Sequence, residues 1–201
     1  MLINPFGPLI YSSDISEDFL LFLKRSALDS VNGEMVGYDL AGNISNQRNA
    51  VLNPNTFIEH IALHIKEYVD GNFDRYSDRS PPNSISYNLG NGPWINYQKK
   101  NEFNPIHVHD GVLSVVIFID IPEEIEKEHL LWEGKTNCPS PGMLEFVYGP
   151  KTFMANGSYK VTPKTGQMYI FPADLKHCVY PFTSDVTRIT MSFNIFDLQF
   201  H

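Results

Sequence analysis

Three of the seven histidines stand at positions whose spacing suits metal chemistry. In His107-Val108-His109, residues i and i+2 of a strand point to one face, so two imidazoles can share one ion. By itself such a pair fits a half-exposed strand equally well. His177 strengthens the metal reading. It follows Gly166-Gln167-Met168-Tyr169-Ile170-Phe171-Pro172, a turn glycine, a strand and then an irregular stretch that delivers a histidine. If Phe182-Thr183-Ser184-Asp185 is a four-residue hairpin loop, Pro181 pairs with Val186 and His177 falls opposite Thr190. Arg188 then sits diagonally from His177, about 7 Å away on the same face. Along this last strand Arg188, Thr190, Ser192 and Asn194 share one side and Ile189, Met191, Phe193 and Ile195 the other. An isolated strand of this pattern would turn its polar side to water, but the register with His177 directs that side to the metal.

The other histidines carry no such pattern. His60 and His64 lie four apart on a helical stretch without a third ligand nearby, which reads as a solvated or partly packed face. His129 stands among acidic residues, and His201 has no supporting neighbours. Cys178 adjoins His177 but points oppositely on a strand, as a buried thiol would.

Positioning these groups requires a β body. From Ser84 onward, strand-like runs occur at 84–89, 93–99, 106–109, 112–121, 143–148, 159–162, 167–171, 176–181 and 186–196, separated by Gly, Pro and Asn. Leu113 to Ile121 is almost continuously apolar, as a central strand covered on both faces should be, which favours a double-sheeted jelly roll. Two helices precede this body. The first is capped by Ser16, with Glu17 and Asp18 in its first turn before Phe19 to Leu28. The second is marked by Thr56 and Glu59 at capping-box spacing, by apolar residues from Phe57 to Val69 at helical intervals, and by Gly71 as a stop. The segment 123–142 reads as a long loop, charged at its start and Pro/Gly-rich at its end. The expectation is one domain over 1–201, with 1–83 a helical support region and 84–196 the core.

Composition is consistent with this. The chain has 201 residues, 42% hydrophobic, 19% charged and 13% aromatic, enough to bury a substantial core. A formal net charge of −8 leaves no basic excess for nucleic acid or anionic membranes. Two cysteines, 138 and 178, indicate neither a disulfide framework nor a zinc ribbon. The first residues lack a cationic start with an apolar run, and no stretch approaches the length of a membrane span, so the expected location is cytoplasmic.

Taken together, His107, His177 and Arg188 resemble the pattern of the Fe(II)/2-oxoglutarate-dependent dioxygenase superfamily: His-x-Asp/Glu, a distant second His, and an Arg about a strand later. The resemblance covers roughly residues 84–196. Trp94-Ile-Asn-Tyr, Asn104-Pro-Ile-His-Val-His, Leu113-Ser, Phe171-Pro and Arg188-Ile-Thr-Met-Ser-Phe-Asn look like the 2-oxoglutarate oxygenases common in marine bacteria and their phages. It implies a mainly β protein with a helical N-terminal part, a distorted double-stranded β-helix of cupin-like jelly-roll form. It also implies His107 and His177 as iron ligands and Arg188 as the clamp on the distal carboxylate of 2-oxoglutarate. Ser192 could add a hydroxyl to that carboxylate, and Asn96 could reach the co-substrate's other end. The implied partner is a small-molecule or peptide substrate.

The sequence departs from the superfamily at one ligand. Two residues after His107, where a carboxylate is usual, stands His109, and Asp110 follows one later. Strand parity favours His109 as third ligand, while a bulge at Gly111 would favour Asp110. Aspartyl/asparaginyl β-hydroxylases look as though they manage without that carboxylate. Two other readings stay open: a cupin-like metal enzyme that does not use 2-oxoglutarate, and a non-enzymatic jelly-roll module.

Overall fold

A computed structural model of the protein describes residues 7–153 and 155–201. Eleven strands run through these residues: β1 (Tyr11–Asp14), β2 (Gln47–Asn49), β3 (Ile85–Asn88), β4 (Trp94–Gln98), β5 (Asn104–His107), β6 (Leu113–Asp120), β7 (Leu144–Val147), β8 (Ser158–Val161), β9 (Gln167–Pro172), β10 (Lys176–Val179) and β11 (Arg188–Phe200). Three α-helices accompany them, α1 (Glu17–Ser30), α2 (Pro54–Tyr76) and α3 (Glu123–Trp132). The larger sheet has the order β1-β9-β6-β11-β4-β2, with β3 pairing with the far end of β11. The smaller has the order β5-β10-β7-β8. All pairings are antiparallel, and the two sheets form the double-stranded β-helix that the strand pattern predicts.

The continuous apolar run of β6 is accounted for by its central place. Leu113, Val115, Ile117 and Ile119 face the helices, joining Phe19 and Leu23 of α1, Phe57, Ile61 and Ile65 of α2, and Met191, Phe193 and Ile195 of β11 in one buried cluster. Phe118, on the opposite face of β6, joins Phe146, Tyr169 and Phe171 in a second cluster between the sheets. Period-two alternation therefore splits β6 between two cores. In β11 the same alternation leaves Arg188, Thr190, Ser192 and Asn194 on the inner side.

The structure corrects several sequence expectations. Ser16 does cap α1, its Oγ accepting from the Phe19 N–H at 3.2 Å. For α2 the cap is Asn53 rather than Thr56: its side chain accepts from the N–H groups of Asn55 and Thr56, and Pro54 opens the helix where no N–H is needed. Gly71 does not stop α2, because the apolar face continues past it to Phe73, whose ring packs against Phe200 of β11. The region before Ser84 is not only helical, since β1 and β2 extend the larger sheet at its two ends. The segment 123–142 is not all loop. Three acidic residues in the first turn of α3 complement its positive end, and Ile125 and Glu128 turn inward.

The largest correction concerns the predicted hairpin. β10 and β11 do not pair; they belong to opposite sheets. Residues 180–187 cross between them, and the crossing is anchored from afar. The Glu128 carboxylate on α3 accepts from the N–H groups of Thr183 and Ser184 and from the Ser184 hydroxyl. Burial pushes this carboxyl up, but the bonds from Ser184 and Thr183 outweigh that and hold it low. Phe182, buried to 1% exposure, fills the space beneath the crossing.

Candidate active site

His107 ends β5 and stands directly opposite His177 of β10. His109 lies past the strand end, in the turn by which the chain passes from the smaller sheet to β6. Strand parity is thus not what brings it near His107. Its backbone N–H donates to the Ala173 carbonyl at 2.9 Å, Ala173 N–H donates to Val112, and Val112 N–H to Ile195. Gly111 permits this path: its φ is +99°, and a Cβ there would sit 2.8 Å from the Ile195 carbonyl oxygen.

The result is a group of three imidazoles whose ligand atoms all lie within 4.8 Å of one another. Ring centroids are 4.3 Å apart for His107 and His177, 4.9 Å for His107 and His109, and 5.1 Å for His109 and His177. Two of the rings have a fixed orientation. Nδ1 of His107 is 2.7 Å from the Pro105 carbonyl and Nδ1 of His177 is 2.8 Å from the Leu175 carbonyl. A carbonyl only accepts, so Nδ1 carries the proton in each and Nε2 keeps its lone pair for a ligand. Asp110, the alternative third ligand, is exposed and stands outside this group. His60 stacks on Phe19 and His64 lies 2.9 Å from the Tyr11 hydroxyl, so both are packing residues of α2, far in function from the triad.

Electrostatics keep the triad ready for a cation. Burial, reinforced by the neighbouring His107, pushes His109 down to about 4 and His177 to about 3. His107 is also lowered by burial, against the opposing pull of its bond to Pro105. At neutral pH all three are uncharged donors, the form that binds a borderline metal such as Fe(II). One expected result follows for the metal-free protein. Unfolded histidines take up protons near pH 6.5, while these two resist to about 4 and about 3, so the unfolded chain binds more protons throughout that window. The stability associated with the neutral site is complete above about pH 6.5 and is lost as pH falls toward 4. Urea midpoints of the apo protein should therefore drop between about pH 7 and about pH 5, and drop less in His109→Asn. Equal drops in both proteins would show that the His109 environment is not as described.

Across the interior from His177, β11 presents Arg188 at 2% exposure. Its Nη1 donates to Gln98 Oε1 at 3.0 Å, and the guanidinium lies 5.2 Å from the Phe118 ring centroid. Nε has no partner, and among the described residues no carboxylate pairs with the cation. Burial lowers its pKa to about 10, which leaves it protonated at neutral pH. A guanidinium has five donors, and a buried one with a single hydrogen bond is costly unless an anion completes it. The register pairs Arg188 with Gln98, Thr190 with Asn96 and Ser192 with Trp94. One narrow cavity between the sheets is lined by the three histidines and by Arg188, Thr190, Ser192 and Asn96. Asn96 is already engaged at both ends: it accepts from Gln47 Nε2 at 2.7 Å and donates to Thr190 and Ser192 at 3.2 and 3.4 Å. Gln98 and Gln47 carry out positioning that the sequence did not reveal. Gln98 has the polar parity of its strand as its only signal, and Gln47 lies on a three-residue strand too short to recognise.

With this geometry in place, comparison with known proteins gives the class. Residues 92–194, about half of the chain and including the triad and Arg188, match the profile of the family described as "Putative 2OG-Fe(II) oxygenase". The chain belongs to that family. Iron(II) is accordingly its metal and 2-oxoglutarate its co-substrate, and the residues present fit both: three neutral imidazoles for the ion, and a buried guanidinium lacking a carboxylate for the co-substrate.

Solved structures agree on the fold. A prolyl hydroxylase from Trichoplax adhaerens, in complex with a hypoxia inducible factor peptide fragment, is 11% identical with a TM-score of 0.55, over 95% of this chain and 84% of that one. AviO1 from Streptomyces viridochromogenes is 14% identical with a TM-score of 0.52, over 94% and 89%. HygX from Streptomyces hygroscopicus, with nickel, 2-oxoglutarate and hygromycin B bound, is 10% identical with a TM-score of 0.52, over 93% and 81%. No curated protein matches the sequence. Among the described residues no helix is long and apolar enough to cross a membrane.

Proposed function

We infer that the protein is a 2-oxoglutarate-dependent hydroxylase in which His107, His109 and His177 hold the iron and Arg188 binds the distal carboxylate of 2-oxoglutarate. The observation that carries this reading is Arg188, a buried cation without a carboxylate, facing the same cavity as three neutral imidazoles. When bound, iron would supply the oxidative decarboxylation of 2-oxoglutarate by dioxygen, which gives succinate and CO2 and delivers the other oxygen atom to a second substrate, here by insertion into a C–H bond.

The chain's own residues supply binding and orientation. Arg188 offers a planar fork to a carboxylate, Gln98 fixes one arm of that fork, and the Phe118 ring lies against the guanidinium. The Thr190 and Ser192 hydroxyls stand one and two strand steps further along the same face and can donate to the same anion. Asn96, held by Gln47, lines the co-substrate's path with those hydroxyls. The rings of Phe171 and Phe146, with centroids 4.8 and 6.2 Å from that of His177, shield His177 from water. The second substrate is a small molecule or a peptide, entering by the open side of His107 and His109.

The test is direct. Anaerobic addition of 2-oxoglutarate to Fe(II)-loaded protein should produce the visible charge-transfer band of a bidentate 2-oxo acid, and admitting oxygen should then release succinate. A cupin-like enzyme that does not use 2-oxoglutarate would bind iron but show neither the band nor succinate.

A further inference from the structure

Away from the triad, one of the two cysteines has a nitrogen partner at close range. Cys138 lies in the segment between α3 and β7 as an exposed, free thiol. Two side-chain bonds fix its backbone: its N–H donates to the Thr136 hydroxyl at 3.3 Å, and its carbonyl accepts from the Ser140 hydroxyl at 3.0 Å. Facing it from β8 is the half-buried Lys160, whose Nζ stands 2.8 Å from Cys138 Sγ and 2.6 Å from Ser140 Oγ. The same Nζ lies 4.9 Å from the centroid of the Tyr180 ring.

Two features separate this contact from an ordinary surface hydrogen bond. The first is the choice of partner. Register puts Lys160 directly opposite Glu145 of β7, and a lysine gains more from a carboxylate than from a thiol. Among the described residues Lys160 nevertheless forms no ion pair; the Glu145 carboxylate accepts from the Tyr180 hydroxyl, and the lysine nitrogen goes to sulfur. The second is length. A separation of 2.8 Å is ordinary between nitrogen and oxygen, but sulfur is the larger acceptor and should stand further out. It is instead close to the span of two atoms bonded to one common oxygen.

We propose that Cys138 and Lys160 form an oxidative cross-linking site, in which one oxygen atom joins Sγ to Nζ and ties the segment after α3 to β8. The lysine ammonium first gives its extra proton to water. The S–H bond and one N–H bond then break, S–O and O–N bonds form, and sulfur and nitrogen lose two electrons each. Dioxygen, the oxidant of the family reaction, takes these electrons: one of its atoms becomes the bridge and the other leaves as water with the two hydrogens. An excess of dithiothreitol restores both side chains and releases the bridging oxygen as water, its own thiols becoming disulfide. The site uses no residue of the triad or of the Arg188 cavity, so it stands apart from the oxygenase reading.

The test follows the intact mass of the protein after reduction with dithiothreitol, removal of the reductant under argon and incubation in air-saturated buffer. A gain of about 14 Da is expected, one oxygen in and two hydrogens out, reversed by dithiothreitol, with the peptides of Cys138 and Lys160 recovered joined after proteolysis. Cys178→Ser should gain this mass like the parent, and Cys138→Ser and Lys160→Met should not. The proposal is overturned if the parent's mass does not change, or if it falls by about 2 Da, as for a disulfide or a direct sulfur–nitrogen bond. It is equally overturned by a rise of about 16 Da with the two peptides separate, as for a sulfenic acid alone, or by Lys160→Met gaining the parent's increment.

Discussion

Arg188→Met is expected to lose 2-oxoglutarate affinity by about 30-fold to several thousand-fold while retaining iron. The range corresponds to about 2–5 kcal/mol for removing one partner of a buried charge-assisted pair. The same substitution should not harm the fold. In the co-substrate-free protein Arg188 is a fully enclosed cation with one hydrogen bond, to Gln98, and an unpartnered Nε. Exchanging such a group for an apolar side chain of similar length is neutral or stabilising in general, so the apo variant should melt no lower than the parent. Adding 2-oxoglutarate should then raise the melting temperature of the parent and not of the variant, because only a ligand that binds the native state stabilises it. Arg188→Lys should fall between them, keeping the charge and losing the fork. If Arg188→Met binds 2-oxoglutarate like the parent, the carboxylate lies elsewhere and the proposed orientation of the co-substrate is wrong.

How much of this was legible beforehand depended on whether a signal was local. The polar and apolar sides of β11 and the buried run of β6 follow from side-chain alternation within single strands, and the structure has them as read. What failed was pairing between strands. Phe182-Thr183-Ser184-Asp185 has the composition of a tight turn, and a hairpin there would have placed Arg188 beside His177. The residues that decide otherwise are distant: Glu128, 55 positions earlier, takes the Thr183 and Ser184 N–H groups and holds the chain as a crossing between sheets. Arg188 and His177 still share a cavity, because their strands face each other across it instead of pairing edge to edge. α3 was hidden for a related reason. Its five ionisable residues from Glu123 to Glu128 look like a solvated loop until Glu128 is seen to be a buried anchor. His109 was favoured by parity along a strand that ends at His107, so its approach to the triad owes more to the turn at Gly111 than to alternation.

That distinction matters for the second large effect, the loss of metal. His177→Ala and His107→Ala should each lose iron outright, a larger loss than the 10- to 100-fold decline typical when only a supporting residue is changed. Each should keep its circular dichroism spectrum, and His60→Ala, whose ring packs on Phe19 and Phe22, should keep its iron. The discriminating pair is His109 and Asp110. His109 has a ligand atom within 4.8 Å of those of its two partners, and Asp110 is exposed beyond them. His109→Ala is therefore expected to lose iron, Asp110→Ala to retain it, and His109→Asp, which recreates the superfamily's usual spacing, to retain it as well. Metal analysis after anaerobic loading reads all of these. The opposite pattern, iron lost from Asp110→Ala and kept in His109→Ala, would mean that the turn around Gly111 rearranges on metal binding to bring the carboxylate inward. In that case the conventional set of two histidines and one carboxylate would replace the triad.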